Sequence, residues 1–356
     1  MITLGIETSC DETALCLLET QGDEYKIIAN IVHSQIELHK EYGGVFPMLA
    51  KREHIKNLPI LYKKLLEEAK ITETEINAIA VTQGPGLEPA LWTGIVFAKE
   101  LGKKLSVPVI PVNHMEGHIV STLLKNSLSS LNFEKLKPLE FPSLALLISG
   151  GHTEIVMIKD LGNYKILGRT MDDAVGEAFD KTARMLGLPY PGGPEISKMA
   201  EEARKINLPK TISLPRPMIH SKNMDFSFSG LKTAVLYTIK EIGELSENQK
   251  REICWEFEDA VTEVLVSKVR KALEENEYKI LIIGGGVVAN RHIRKAFESL
   301  AKECDVPLYL PADGLTGDNA LMIALAGSLR KNSDTNFNDD FKADGNLSLN
   351  SSRKDN

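Results

Sequence analysis

Residues 2–18, ITLGIETSCDETALCLL, return in outline at residues 143–158, SLALLISGGHTEIVMI. In each stretch an apolar strand enters a short turn of small and polar residues and leaves as a second apolar strand. The first copy runs 2–7, turns through 8–12 and continues over 13–18; the second runs 143–148, turns through 149–152 and continues over 153–158. The repeat is weak in identity and consistent in pattern. Strand, hairpin and strand at the head of each half predict a duplicated α/β protein with a cleft between the copies.

Between the copies, residues 76–81 read as a buried strand that enters Gln83-Gly84-Pro85-Gly86, and a helix follows from about 89 to 104. Residues 109–112 form another short strand, which delivers NHMEGH (113–118) to the start of the next helix. Side chains at the C-terminal end of such a strand sit where clefts form in α/β sheets. Further on, 207–229 is irregular and FSFSG (226–230) opens a helix. A strand over 279–283, the turn Gly284-Gly285-Gly286, a helix from 289 onward, a strand over 306–310 and a helix from about 318 to 330 complete the order.

A chain of 356 residues is too long for one ordinary core. The expected division is an N-terminal lobe over 1–125, a linker over 126–142 and a C-terminal lobe over 143–316. The last helix, about 317–330, is expected to return to the first lobe, and the Ser-, Asn- and Asp-rich tail, 332–356, reads as disordered. The start has no basic, then apolar, segment of secretory type, and nowhere do about 18 apolar residues follow one another. A cytoplasmic protein with no membrane segment is expected. Cys10, Cys16, Cys254 and Cys304 are scattered and read as reduced thiols. A net charge of -7 argues against non-specific coating of nucleic acid, although Lys and Arg cluster over 198–210 and 216–222.

Chemistry concentrates in few places. His114 and His118 stand four apart, so on a helix they share a face roughly 6 Å apart, while Glu116 points to the far side. It therefore cannot act as the base of an H-E-x-x-H protease. The pair suits a metal that needs a third, oxygen ligand. Asp318 in TGDN (316–319) is a candidate, and its other reading is a helix N-cap. Three glycine turns, at 84–86, 149–152 and 284–286, each follow a strand and suit a phosphate or nucleotide, though none matches a Walker or Rossmann fingerprint. Asp11 and Glu12 read either as a solvated hairpin turn or as attendants of a phosphate-bound Mg2+ or a water. Asp180 reads as a helix surface charge facing Arg184.

Taken together, GIETSCDET (5–13), QGPG (83–86), NHMEGH (113–118), SGGHT (149–153), GEAFDK (176–181), YPGGP (190–194), FSFSGLKT (226–233), GGGVVANR (284–291) and TGDNA (316–320) resemble the tRNA N6-adenosine threonylcarbamoyltransferase family, in its bacterial branch. The resemblance is colinear over about residues 1–330. It implies the actin-like, sugar-kinase-like ATPase fold, with two duplicated α/β lobes around a central cleft. It also implies one Fe2+ or Zn2+ on His114, His118 and Asp318, since two imidazoles and a carboxylate suit either ion. Substrate contacts are implied at Leu147, Ile148, Ser149, Gly150, Gly151, Asp180, Gly193 and Asn290, and a catalytic role at Asp11 and Glu12. Many members carry Asp four residues beyond the second glycine of YPGG; this chain has Ser197, so that contact is not carried over.

The implied reaction moves a threonylcarbamoyl group from threonylcarbamoyl-AMP to N6 of adenosine 37 in tRNAs that read codons beginning with A, releasing AMP. ATP, ADP or AMP would occupy the same cleft, with Mg2+ accompanying a nucleotide. The implied partners are tRNA, a smaller inactive paralogue and a P-loop ATPase. A metalloprotease is disfavoured by the placing of Glu116. An actin-like scaffold or a small-molecule kinase would leave the histidine pair unexplained.

Overall fold

The computed structural model describes residues 1–125, 132–331 and 340–351. They form two units, one of residues 1–139 with 311–356 and one of residues 140–310. In the first, β1 (Ile2–Glu7), β2 (Glu12–Gln21), β3 (Glu24–Ser34), β4 (Ala78–Gly84), β5 (Val109–Asn113) and β6 (Glu134–Lys135) lie in the order β5-β4-β1-β2-β3-β6. The β1–β2 hairpin is antiparallel, with Gly5 opposite Cys16, and β2 passes to β3 through Gly22-Asp23, where Gly22 takes φ 60°. From β1 the sheet continues parallel through β4 to β5. Parallel strands are covered on both faces, which is why β1 and β4 are apolar almost throughout. The helices of this stretch are α1 (Ile36–Lys40), α2 (Pro47–Ala69), α3 (Glu88–Leu105) and α4 (His114–Ser121). Leu4, Ile6 and Leu15 pack with Leu58, Leu65, Leu91 and Ile95 of α2 and α3.

The second unit repeats the plan. Strands β7 (Ser143–Ile148), β8 (Thr153–Asp160), β9 (Asn163–Arg169), β10 (Leu281–Gly284) and β11 (Leu308–Tyr309) lie in the order β11-β10-β7-β8-β9. The hairpin β7–β8 is antiparallel, and β7, β10 and β11 run parallel, as β1, β4 and β5 do. The duplication expected from residues 2–18 and 143–158 is thus present strand for strand. Helices α5 (Val175–Met185), α6 (Gly192–Lys205), α7 (Ser229–Ile242), α8 (Glu247–Glu275) and α9 (Arg291–Glu303) pack over this sheet, with Phe179, Phe226, Phe228, Phe257 and Phe297 in the core.

The last helix, α10 (Ala320–Lys331), belongs to the first unit, as expected. It lies so close to β1 and β4 that a Cβ on Gly5 would meet the Ala320 carbonyl oxygen at 2.2 Å, and one on Gly327 would meet Ala80 Cβ at 2.4 Å. Burial on every side explains its nearly unbroken apolar sequence.

Two expectations about boundaries need correction. Of the expected linker, 126–131 lies outside the described residues, but Glu134–Lys135 pairs with β3 and residues up to 139 belong to the first unit. Of the expected disordered tail, residues 340–351 are ordered: Phe341 and Ala343 join the core of the first unit, and Leu349 is buried. The polar composition misleads because this segment docks largely through backbone groups, which composition does not report. Among the described residues, no helix is long and apolar enough to cross a membrane.

Candidate active site

Strand β5 ends at Asn113, whose Oδ1 accepts from the N–H groups of Met115 and Glu116 at 2.9 and 3.4 Å and so caps α4. The spacing then places His114 and His118 on one face, as expected, with ring centroids 4.7 Å apart and edge to face. Asp318 arrives from the turn before α10. Its Oδ1 stands 3.3 Å from Nε2 of His114 and 3.3 Å from Nε2 of His118. Among the described residues these three form a group whose ligand atoms lie within 4.8 Å of one another.

The two readings of Asp318 separate in the structure. The cap of α10 is the next residue, Asn319, whose Oδ1 accepts from the Met322 N–H at 3.0 Å. Asp318 is turned to the imidazoles instead. His118 is fully buried, yet both of its ring nitrogens lack a hydrogen-bond partner, the approach of Asp318 being a close contact without hydrogen-bond direction. A buried, unsatisfied imidazole beside a carboxylate and a second imidazole is the donor set that a transition-metal ion satisfies. The residues present fit such an ion.

One participant lies inside GIETSCDET without having been singled out there. Glu7, fully buried on β1, sets its Oε2 3.0 Å from His114 Nδ1 and accepts there from Thr82 Oγ1 at 2.6 Å, while Oε1 accepts from the Ser9 N–H at 2.5 Å. A proton on His114 Nδ1 is thereby directed to Glu7, which leaves the Nε2 lone pair facing Asp318 and His118. The signal for it was a charged side chain in an inward position of an apolar strand. Burial disfavours a charged His114, but Asp318 and Glu7 outweigh it and hold the imidazole well above its ordinary pKa. Burial would likewise raise Asp318; His114 and His118 instead hold its carboxyl well below the usual range.

Asp11 and Glu12 stand in the same neighbourhood. Burial, then the charges of Asp11 and Asp318, push the Glu12 carboxyl up to about 10, and its Oε1 accepts from Ser34 Oγ at 3.2 Å. The turn that carries them is held by His54 of α2, whose Nε2 donates to the Cys10 carbonyl at 3.0 Å and whose Nδ1 accepts from Thr13 Oγ1 at 2.8 Å. His54 is a second participant that the sequence did not single out. Glu116 faces away, as expected, and is bound by Arg330.

In the second unit, a cavity of about 460 Å3 is lined by Gly150, Asp180, Gly193, Asn290 and their neighbours, among them Ser197 and Arg291. Four of the expected substrate residues therefore share one wall. Gly151 does not line the cavity, and a Cβ there would meet nothing within 4 Å. Leu147 and Ile148 do not line the cavity, and their side chains are fully buried in the sheet, because the strand that ends in the glycine turn must also supply core. Ser149 is tied inward as well, its N–H donating to the His152 carbonyl and its Oγ accepting from the His152 N–H. Asp180 Oδ1 accepts from the Gly192 N–H at 2.7 Å, pinning the YPGG turn to α5. Asn290 caps α9 through Oδ1 and donates from Nδ2 to Glu258 Oε1 at 2.6 Å, so each end of its amide is already engaged by protein.

Several members of the basic clusters have carboxylate partners here. Arg204 pairs with Glu258 and Asp259, Lys210 with Glu256 and Asp259, and Arg216 with Glu256 and Glu263, all acids of α8. These charges bind α6 and the irregular segment to α8 and do not form an open basic face.

Comparison with known proteins agrees with this geometry. Solved structures related at low identity include component A of the (R)-2-hydroxyglutaryl-CoA dehydratase of Acidaminococcus fermentans, with TM-score 0.51, 13% identity and coverage of 93% of this chain and 97% of that one. The nucleotide-bound full-length HypF matches with TM-score 0.57 and 15% identity over 94% of this chain and 47% of that one. They show the actin-like, sugar-kinase-like fold. A tRNA N6-adenosine threonylcarbamoyltransferase of Chromobacterium violaceum is 47% identical over 334 residues, 93% of each chain, and one of Paraburkholderia xenovorans is 47% identical over 332 residues, 93% of this chain and 92% of that one. Residues 26–325 match the sequence model of the TsaD family. With the histidine pair, its carboxylate and the glycine turns all in the matched span, the chain belongs to the family of tRNA N6-adenosine threonylcarbamoyltransferases.

Proposed function

We propose that this chain transfers the threonylcarbamoyl group of threonylcarbamoyl-AMP to N6 of adenosine 37 in tRNAs reading codons that begin with A, releasing AMP, with one Fe2+ or Zn2+ held by His114, His118 and Asp318. The observation that carries the metal part of the reading is the fully buried His118, unsatisfied at both nitrogens beside Asp318. When bound, such an ion acts as a Lewis acid toward the carbamoyl oxygen, worth several kcal/mol in acyl transfer.

The chain's own residues do the rest. Glu7 fixes the tautomer of His114. Glu12, whose carboxyl is pushed up by burial, shares the first turn with Asp11, and one of this pair relays the proton lost from N6. The nucleotide half of the donor occupies the cavity bounded by Gly150, Asp180, Gly193 and Asn290, where exposed glycine backbone admits an anion closely. ATP, ADP or AMP would compete there, with Mg2+ accompanying their phosphates.

An acidic chain whose basic clusters are largely paired internally needs help to hold tRNA. Exposed Tyr42, Phe46, Met48, Ile55 and Ile60, in and before α2, offer partner proteins an apolar surface. A smaller inactive paralogue and a P-loop ATPase are the partners in this reading, and the cytoplasm is its site. The test is mass spectrometry of nucleosides from tRNA incubated with this chain, both partners and threonylcarbamoyl-AMP. Unmodified adenosine 37 under those conditions would sink the proposal.

A further inference from the structure

Residues 341–349 do more than fill a surface groove. Asp344 N–H donates to the Gln83 carbonyl at 3.0 Å, Gln83 Nε2 donates to the Lys342 carbonyl at 3.1 Å, and Gly86 N–H donates to the Gly345 carbonyl at 3.2 Å. The segment thus lies along the Gln83–Gly86 turn at the end of β4. It comes so near that a Cβ on Gly84 would meet the Asp344 carbonyl oxygen at 1.9 Å. Phe341 anchors one end, with Lys99 Nζ 4.4 Å from its ring centroid and donating to its carbonyl at 2.7 Å; buried Leu349 anchors the other.

Two short routes lead from this segment to His114. Along one, the turn gripped by Gly345 continues into Leu87, whose N–H donates to the Ser9 carbonyl at 2.7 Å, and Ser9 Oγ lies 3.3 Å from His114 Nδ1. Along the other, Asn113 Nδ2 donates to the Leu347 carbonyl at 3.4 Å while Asn113 Oδ1 caps the helix that begins with His114. The β4–β5 register slips between Thr82 and Gly84, so the strand pair is irregular just where it must present α4.

We infer that residues 341–349 are a positioning brace for the His114–His118–Asp318 centre, restoring to the ends of β4 and β5 the rigidity that the irregular register removes. The inference rests on the metal reading above. A brace of this kind acts on the metal-free protein by holding the ligands in place, so its loss weakens metal affinity even where the chain remains folded. A segment that only adds stability would lower the melting temperature and leave the affinity of the folded chain unchanged.

The experiment uses the full chain, with Zn2+ alone as the probe and a chromophoric chelator as competitor. Gly345→Leu places a side chain against the Gly86 carbonyl, which a Cβ already meets at 2.9 Å. A second variant, Phe341→Asp with Leu349→Asp, puts charges at both anchors and undocks the segment. Exchange of the Gly86 amide reports docking in each. The expected result is a fall in Zn2+ affinity of about tenfold in whichever folded variant has lost Gly86 protection. Wild-type affinity in a folded variant with an unprotected Gly86 amide overturns the brace. A wild-type chain that takes up neither Zn2+ nor Fe2+ removes the metal reading first, and the brace with it.

Discussion

The carboxylate of Glu116 is bound by the guanidinium of Arg330, whose Nη1 also donates to the Pro111 carbonyl at 2.9 Å. The residue that interrupts the histidine pair therefore clamps α4 to α10, the helix that begins beside Asp318. Close packing at the same junction, where a Cβ on Gly117 would meet Ile323 and Met322 side chains at 3.1 Å, makes the crossing rigid. Arg330→Ala removes the guanidinium from the nearly buried Glu116 carboxylate and is expected to cost about 3 kcal/mol. Glu116→Gln in that background should recover much of the loss. Urea unfolding of both checks this, and equal stability of the two would show that no uncompensated charge was created.

Asp318 and Asn319 are expected to divide two tasks. Asn319→Ala removes the cap of α10 and should lower stability by about 1 kcal/mol with metal content unchanged. Asp318→Asn should abolish retention of metal and slow transfer by about 10²-fold, because the anionic ligand is lost while shape is kept. Elemental analysis and single-turnover assays of the pair decide it; metal retained in Asp318→Asn means that a different third ligand must exist.

Glu7 is expected to act only through His114. Glu7→Gln keeps the volume and one acceptor but removes the charge that orients the ring, so metal affinity should fall by about 10-fold or more. Metal competition titration reads this directly. Unaltered affinity would reduce Glu7 to a buried strand residue bound by Thr82 and Ser9.

Part of the acid lability should arise in the second unit. Burial would raise Asp172, but the Ser227 and Ser229 hydroxyls and the Phe228 and Ser229 N–H groups hold it below its ordinary value, and Lys181 and Lys232 do the same for Asp173. Folded values below unfolded ones mean that the stabilisation is complete above about pH 4 and is lost as pH falls through the folded values. Asp172→Asn should flatten that fall. Urea midpoints between neutral pH and the acid limb check it, and a slope equal to wild type would place the lability elsewhere.

By itself the sequence determined what local geometry governs. Apolar runs on either side of a short turn of small and polar residues specified the hairpins at 2–18 and 143–158, and their recurrence specified the duplicated sheets that β1–β5 and β7–β11 form. Four-residue spacing placed His114 and His118 on one helical face and Glu116 off it, because helical pitch admits no other arrangement. What the sequence left open were choices between alternatives that share one local signature. Asp318 and Asn319 are equally good caps as residue types, and only the seating of α10 against β1 and α4 turned one to the backbone and the other to the imidazoles. Glu7 gained its partner from a strand and a helix distant in sequence. Arg204, Lys210 and Arg216 read as a basic cluster until the carboxylates of α8 met them. Residues 341–349 looked disordered because their composition is polar; backbone hydrogen bonds to the Gln83–Gly86 turn help to hold them, and such bonds are not legible in the composition of the segment that docks.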